Sequence, residues 1–224
     1  MEKKNKMETM HMQKLVINMS LPLIVSLLVQ SLYNIVDSIF VAKMSEEALT
    51  ATSLAFPVQM LMIAFSVGTS VGVNALLSKT LGARHRERAT KIANTSIMLA
   101  LINGAVFSLT GIFFAQKLAR SFTTVESTAA LCAEYLSICM VFCFGNFIET
   151  MLQRFLQAAG NTVLSMCSLI AGAVTNIMLD PILIFGLLGF PALGIRGAAI
   201  ATVIGQWLGA AVALLLNRFC NREV

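Results

Sequence analysis

Residues 163–188 read VLSMCSLIAGAVTNIMLDPILIFGLL. The stretch has one charged residue, Asp180, and Pro181 follows it directly. At 1.5 Å of rise per residue, a helix of this length crosses the roughly 30 Å hydrocarbon core of a bilayer. A strand is disfavoured because the run is continuously apolar rather than alternating. A carboxylate at the centre of such a helix costs roughly 2.5–3.5 kcal/mol to insert, and Asp180 lies somewhat off-centre. Pro181 has no N–H, so the carbonyl of Ile177 loses its intrahelical donor. The segment therefore reads as a transmembrane helix with a polar, locally loosened point in it.

The rest of the chain has the same character. Hydrophobic residues make up 57% of the sequence and charged residues 12%, about half the charged fraction of an average soluble domain. Five further apolar segments, at roughly 15–42, 48–77, 92–115, 129–152 and 197–217, are each long enough to span. The fold class is all-α integral membrane, a bundle of six transmembrane helices over 15–217. A charged N-terminal segment (1–14) precedes it and a short tail (218–224) follows. Gly68-x-x-x-Gly72 and Gly205-x-x-x-Gly209 offer small faces for close helix packing.

Placing the N-terminus inside leaves only Lys43, Lys117, Arg120 and Arg196 of the 16 basic residues outside. The positive-inside rule thus favours both termini in the cytoplasm and a multi-pass protein of the cell membrane. The net charge of +5 comes from bases between apolar runs, which reads as a topology signal rather than a nucleic-acid surface. The loop KTLGARHRERATK is the main anchor. The five cysteines sit in or beside apolar segments without a metal-ligand pattern, so they read as small packing residues. No phosphate loop, metalloprotease motif or nucleophile triad occurs, so an enzyme is not expected.

Four acids remain within or at the margins of spans: Asp37, Glu134, Glu149 and Asp180. Glu149 lies close in sequence to Arg154, and Glu134 is near the outer end of its span, so ion pairing or water accounts for them. Asp37 and Asp180 are harder to dismiss. Counting from the span ends puts both in the outer half, in one layer with Asn176, one helical turn from Asp180, and with Thr202. The structural alternative is that Lys43 or Arg196 reaches inward to neutralise them. Otherwise each acid is protonated, hydrated or beside a cation. That makes the layer a candidate site for H⁺ or for Na⁺ held by oxygen ligands. Gln30, Tyr33, Asn34 and Asp37 form one polar stripe on the first helix, suited to cavity contacts. Pro22 and Pro181 are the candidate helix kinks, and Pro57 removes a backbone donor in the second span in the same way.

QSLYNIVDSIFVAK, ALTATSLAFPVQ, SKTLGARHRERA, FLQAAGNT and GAVTNIMLDPILIFGLLGFPALGIRGAAIATVIGQ together resemble the N-terminal six-helix lobe of the MATE (multidrug and toxic compound extrusion) transporters. Ala42-Lys43 departs from the Gly-Arg often found after the first helix. The resemblance implies an exporter of amphipathic organic cations driven by H⁺ or Na⁺, with no other cofactor. It carries the coupling role onto Asp37, Asn176, Asp180 and Thr202, and it leaves H⁺ and Na⁺ undivided. It also implies a partner for this lobe, either a second six-helix lobe or a second copy in a homodimer. A lipid-linked oligosaccharide flippase of a related fold and a non-transporting membrane scaffold are the competing readings.

Overall fold

A computed structural model describes residues 11–221. Seven α-helices account for nearly all of them, and no strand occurs among the described residues. They are α1 (Met12–Met44), α2 (Glu46–Gly82), α3 (Arg86–Phe122), α4 (Glu126–Val141), α5 (Phe144–Ala158), α6 (Thr162–Phe185) and α7 (Ile195–Cys220). A short 3-10 turn, Leu187–Gly189, lies between α6 and α7. Most of the N-terminal segment expected over 1–14, including Lys3, Lys4 and Lys6, and the last part of the tail expected over 218–224 lie outside the described residues. Residues 12–14 and 218–220 are helical and extend α1 and α7.

Short links join the helices, so successive spans run in opposite directions. One end of the bundle carries Ser45, Thr123 and Gly194; the other carries His85 and Gly160. Local chemistry sets several of these boundaries. Ser45 caps α2, accepting from the Ala48 N–H at 3.0 Å, and Glu46 and Glu47 complement the positive end of that helix. Gly186 adopts φ +75° and ends α6, a conformation that costs glycine little. The following loop folds back so that the Leu193 and Gly194 N–H groups reach the carbonyls of Leu183 and Ile184, at 2.9 and 3.2 Å. Orphan carbonyls at the end of α6 are thereby satisfied.

Five helices are long and apolar enough to cross a bilayer alone, and the sixth crossing is the bent pair α4–α5. Here the structure departs from the single continuous span expected over 129–152. The two helices meet at 47°, with no proline at the break. The cause is a side chain inserted into the backbone ladder. Ser108 of α3 donates to the Val141 carbonyl at 3.0 Å, and Cys143 Sγ donates to the Gly104 carbonyl at 3.4 Å. Gly104 and Gly111 of α3 leave room for this approach: a Cβ there would meet the Phe144 ring at 2.7 Å and Met140 Cβ at 2.5 Å. Pro22 and Pro181, where kinks are expected, lie inside unbroken α1 and α6, and Pro57 lies inside unbroken α2. Losing one hydrogen bond is tolerated there; an added competing donor on α3 breaks the fourth span.

Helices α6 and α7 approach closely at Gly172 and Gly205. A Cβ on Gly205 would lie 2.8 Å from the Gly172 carbonyl oxygen. Of the two expected small-residue faces, only the one at Gly205 and Gly209 is used; Gly68 and Gly72 have open space beside them. Leu28, Leu32 and Ile35 of α1 are exposed.

Candidate functional site

The close approach of α6 and α7 decides the geometry of the acidic layer. Gly205 sits against Asn176, with 3.2 Å between an added Cβ and the Asn176 Cβ. Thr202, one turn earlier on α7, is thus pressed onto the same part of α6. In the orientation that satisfies both ends of its amide, Asn176 donates to Asp180 Oδ2 at 3.3 Å and accepts from the Thr202 N–H at 3.1 Å. The Thr202 hydroxyl donates to the Ala198 carbonyl at 3.0 Å. Asp180 is fully buried and Asn176 nearly so.

Asp37 comes from α1, which packs along α6. Its carboxyl neighbours the Asp180 carboxyl and interacts with it electrostatically. Asp37 Oδ1 is shut off from solvent and faces no donor. Two ionised carboxylates at that distance repel, so the pair needs a proton or a cation between its oxygens. Neither base offered as a neutraliser provides one. Arg196 is held by Glu134 through two contacts, Nε to Oε2 at 3.0 Å and Nη2 to Oε1 at 2.6 Å. Lys43 lies over the Phe40 ring at 6.0 Å. The structure thus brings Asp37, Asn176, Asp180 and Thr202 together and leaves the two acids without a basic partner among the described residues.

The oxygens in this cluster suit either ion. An orphaned Asp37 oxygen, the Asp180 carboxyl and the Thr202 hydroxyl are hard donors of the kind an alkali cation takes. No cluster of three His, Cys, Asp or Glu side chains fit for a transition metal occurs among the described residues.

Beside the cluster lies a cavity of about 700 Å³ between α1, α2, α4–α5, α6 and α7. Asp37, Asn176 and Thr202 line it, and Asn176 joins it to Asp180 through their hydrogen bond. The whole α1 stripe of Gln30, Tyr33, Asn34 and Asp37 faces into it. Gln59 reaches across from α2 to donate to the Tyr135 hydroxyl at 3.1 Å. Pro22 is buried in α1, and its carbonyl accepts from Ser26, a cavity residue, at 2.8 Å. Pro181 follows Asp180 on α6 without interrupting the helix.

Two cavity residues depart from what the sequence predicts. Glu149 does not form an ion pair with Arg154. It accepts from Gln153 at 3.0 Å and lies against Gly209, whose added Cβ would come within 2.6 Å of its carboxyl carbon. Arg154 lines the cavity, donating to the buried Ser70 and Gln157 at 3.4 and 2.7 Å. The available signal was Gly209 itself: a small residue on α7 marks where a larger group from a neighbouring helix must fit. Glu134, expected to face water, is partly exposed and holds Arg196. Of the cysteines, Cys132, Cys139 and Cys143 are buried, and Cys167 and Cys220 are exposed.

This sequence matches the MatE family over residues 22–182. It is 34% identical to the probable multidrug resistance protein YoeA of Bacillus subtilis (strain 168), across 82% of this chain and 40% of that protein. It is 30% identical to a protein named FAD transporter from Shewanella oneidensis, across 92% of this chain and 45% of that one. Among solved structures, a multidrug resistance MATE family transporter of the MOP superfamily in an outward-facing conformation superposes with a TM-score of 0.85 at 30% identity. That likeness covers 94% of this chain and 46% of the other. The chain spans about half the length of the curated relatives it matches. With its family match, its relatives and its helix arrangement in agreement, the chain belongs to the MATE family and has the fold of that family's N-terminal six-helix lobe.

Proposed function

We propose that this chain forms the ion-coupling lobe of a secondary active exporter that moves amphipathic organic cations outward in exchange for H⁺ or Na⁺. The observation that carries the reading is the Asp37–Asp180 pair: a half-buried and a fully buried carboxyl side by side, the second held by Asn176, with no base paired to either among the described residues. A mobile cation is the charge that such a pair lacks. The cluster opens on a 700 Å³ cavity of mixed polar and apolar lining, a size suited to a drug-like molecule.

The ion enters from outside and binds between the two acids. It must bind the outward- and inward-facing states unequally, because a ligand of equal affinity for both shifts nothing. Its arrival draws α1 and α6 together through Asp37 and Asp180, and a bend of α1 near Pro22 transmits the change to the cavity. Both termini lie in the cytoplasm, which puts the Ser45 end of the bundle outside. A second six-helix lobe, on the same polypeptide or from a second copy, completes the substrate cavity.

The test is dye export from liposomes containing the purified chain, under an imposed H⁺ or Na⁺ gradient. The expected result is gradient-driven export that falls to the level of empty liposomes for Asp37→Asn and Asp180→Asn, with both variants inserted and folded. Undiminished export by either variant overturns the assignment. Gradient-independent movement of lipid-linked sugar would favour the flippase reading instead.

A further inference from the structure

The far end of the cavity carries a charge that the coupling scheme does not use. Arg154 projects inward among Gln153, Gln157, Ser66, Ser70 and Ser165. Its guanidinium has five N–H donors. Nε bonds Ser70 and Nη1 bonds Gln157, while Nη2 has no hydrogen-bond partner among the described residues. Gln157 in turn donates to Ser165 at 2.8 Å, which fixes the side chain that holds the guanidinium in place. Ser66 lies one helical turn before Ser70 on α2, and its hydroxyl is buried with no partner. No carboxylate among the described residues lies within ion-pair distance of Arg154. A snorkelling arginine sends its head to water; this one turns it to buried hydroxyl and amide groups.

We propose that Arg154, with Ser66, forms an oxyanion subsite of the cavity, which receives the carboxylate or phosphate of an organic substrate. The substrates then include zwitterions and organic anions as well as cations. The proposal rests on reading the cavity as the substrate cavity. Two parallel N–H groups of a guanidinium suit a planar carboxylate, and the Ser66 hydroxyl adds a third donor. Ser165 and Asn176 are separated by about 16 Å along α6 at 1.5 Å per residue. An anionic group can therefore sit at Arg154 while the Asp37–Asp180 pair remains free for its ion.

The experiment compares tetramethylrhodamine, a zwitterion with a free benzoate, with its methyl ester, a cation of the same shape. Binding of each dye to the purified chain in nanodiscs is read by fluorescence anisotropy with no ion gradient. The expected result is tighter binding of the free acid, a loss of about tenfold for the acid alone in Arg154→Gln, and partial retention in Arg154→Lys, which keeps charge but not the planar fork. Ser66→Ala weakens the acid by a smaller factor. Equal weakening of both dyes in Arg154→Gln shows a structural role and overturns the proposal. So does an acid preference that survives the substitution. If neither dye binds, the thermal midpoint is followed in sodium benzoate, and a shift that is the same in wild type and Arg154→Gln overturns it as well. Asp37→Asn abolishes gradient-driven export but leaves the acid preference intact, so failure of the coupling reading and failure of the subsite are separable.

Discussion

Asp180 and Glu134 lie toward the same end of the bundle, on helices that both contact α7. Glu134 is partly exposed and meets Arg196 with both oxygens. Asp180 is fully buried, and its neighbours are a neutral amide and another acid. At the rim a charged partner is easy to supply, because arginine can keep its other N–H groups in water. In the interior a fixed base would silence the acid permanently. The difference teaches that the fold pairs one carboxyl with an encoded base and leaves the other without one among the described residues.

The largest effect that can break this contrast is loss of the interior charge. Asp180→Asn should abolish gradient-driven export while the thermal midpoint holds or rises, since a buried acid is removed and Asn176 keeps an acceptor; a proteoliposome assay and a melting curve read the two outcomes. Giving the interior site a rim-like partner is the next test. Asn176→Lys places an ammonium beside both acids, and export should stop in a chain that still inserts, whereas ion-driven export at the wild-type rate would show that the acids do not need a vacant cation position. A third carboxyl sharpens the comparison structurally. Gly209→Val drives a side chain into the Glu149 carboxyl and should cost about 1–3 kcal/mol of stability, which Glu149→Ala in the same chain should largely restore; an unchanged denaturation midpoint in Gly209→Val would contradict the packing at that point. The smallest effect is expected at the rim, where Glu134→Gln should leave export and melting temperature within error of wild type, as for most exposed ion pairs.

Much of the acidic site was legible because membrane depth can be counted along a helix. Asp37, Asn176, Asp180 and Thr202 fall in one layer by residue number alone, and the polar stripe of α1 follows from a spacing of three and four. Lateral meeting was not legible. It depends on Gly172 and Gly205 letting two backbones touch, and on which face α1 turns toward α6. The break in the fourth span was missed for a related reason. Proline is a local signal that can be seen in its own helix, but Ser108 acts on Val141 across 33 positions of sequence. Glu149 and Arg154 were read as a pair because they are neighbours in sequence. In the structure Gly209 and Ser70, from two other helices, take them apart.

By itself the sequence determined that this chain lives in a bilayer as six spans, because apolar length and the cost of buried charge are properties of each segment alone. It also singled out Asp37 and Asp180 as acids deep in spans that carry no base of their own. Tertiary structure decided which groups meet: the Asp37–Asp180 contact, the bend between α4 and α5, and the inward turn of Arg154. Those outcomes depend on how closely helices approach, and that distance is set by side chains on a different helix from the residue whose surroundings they decide.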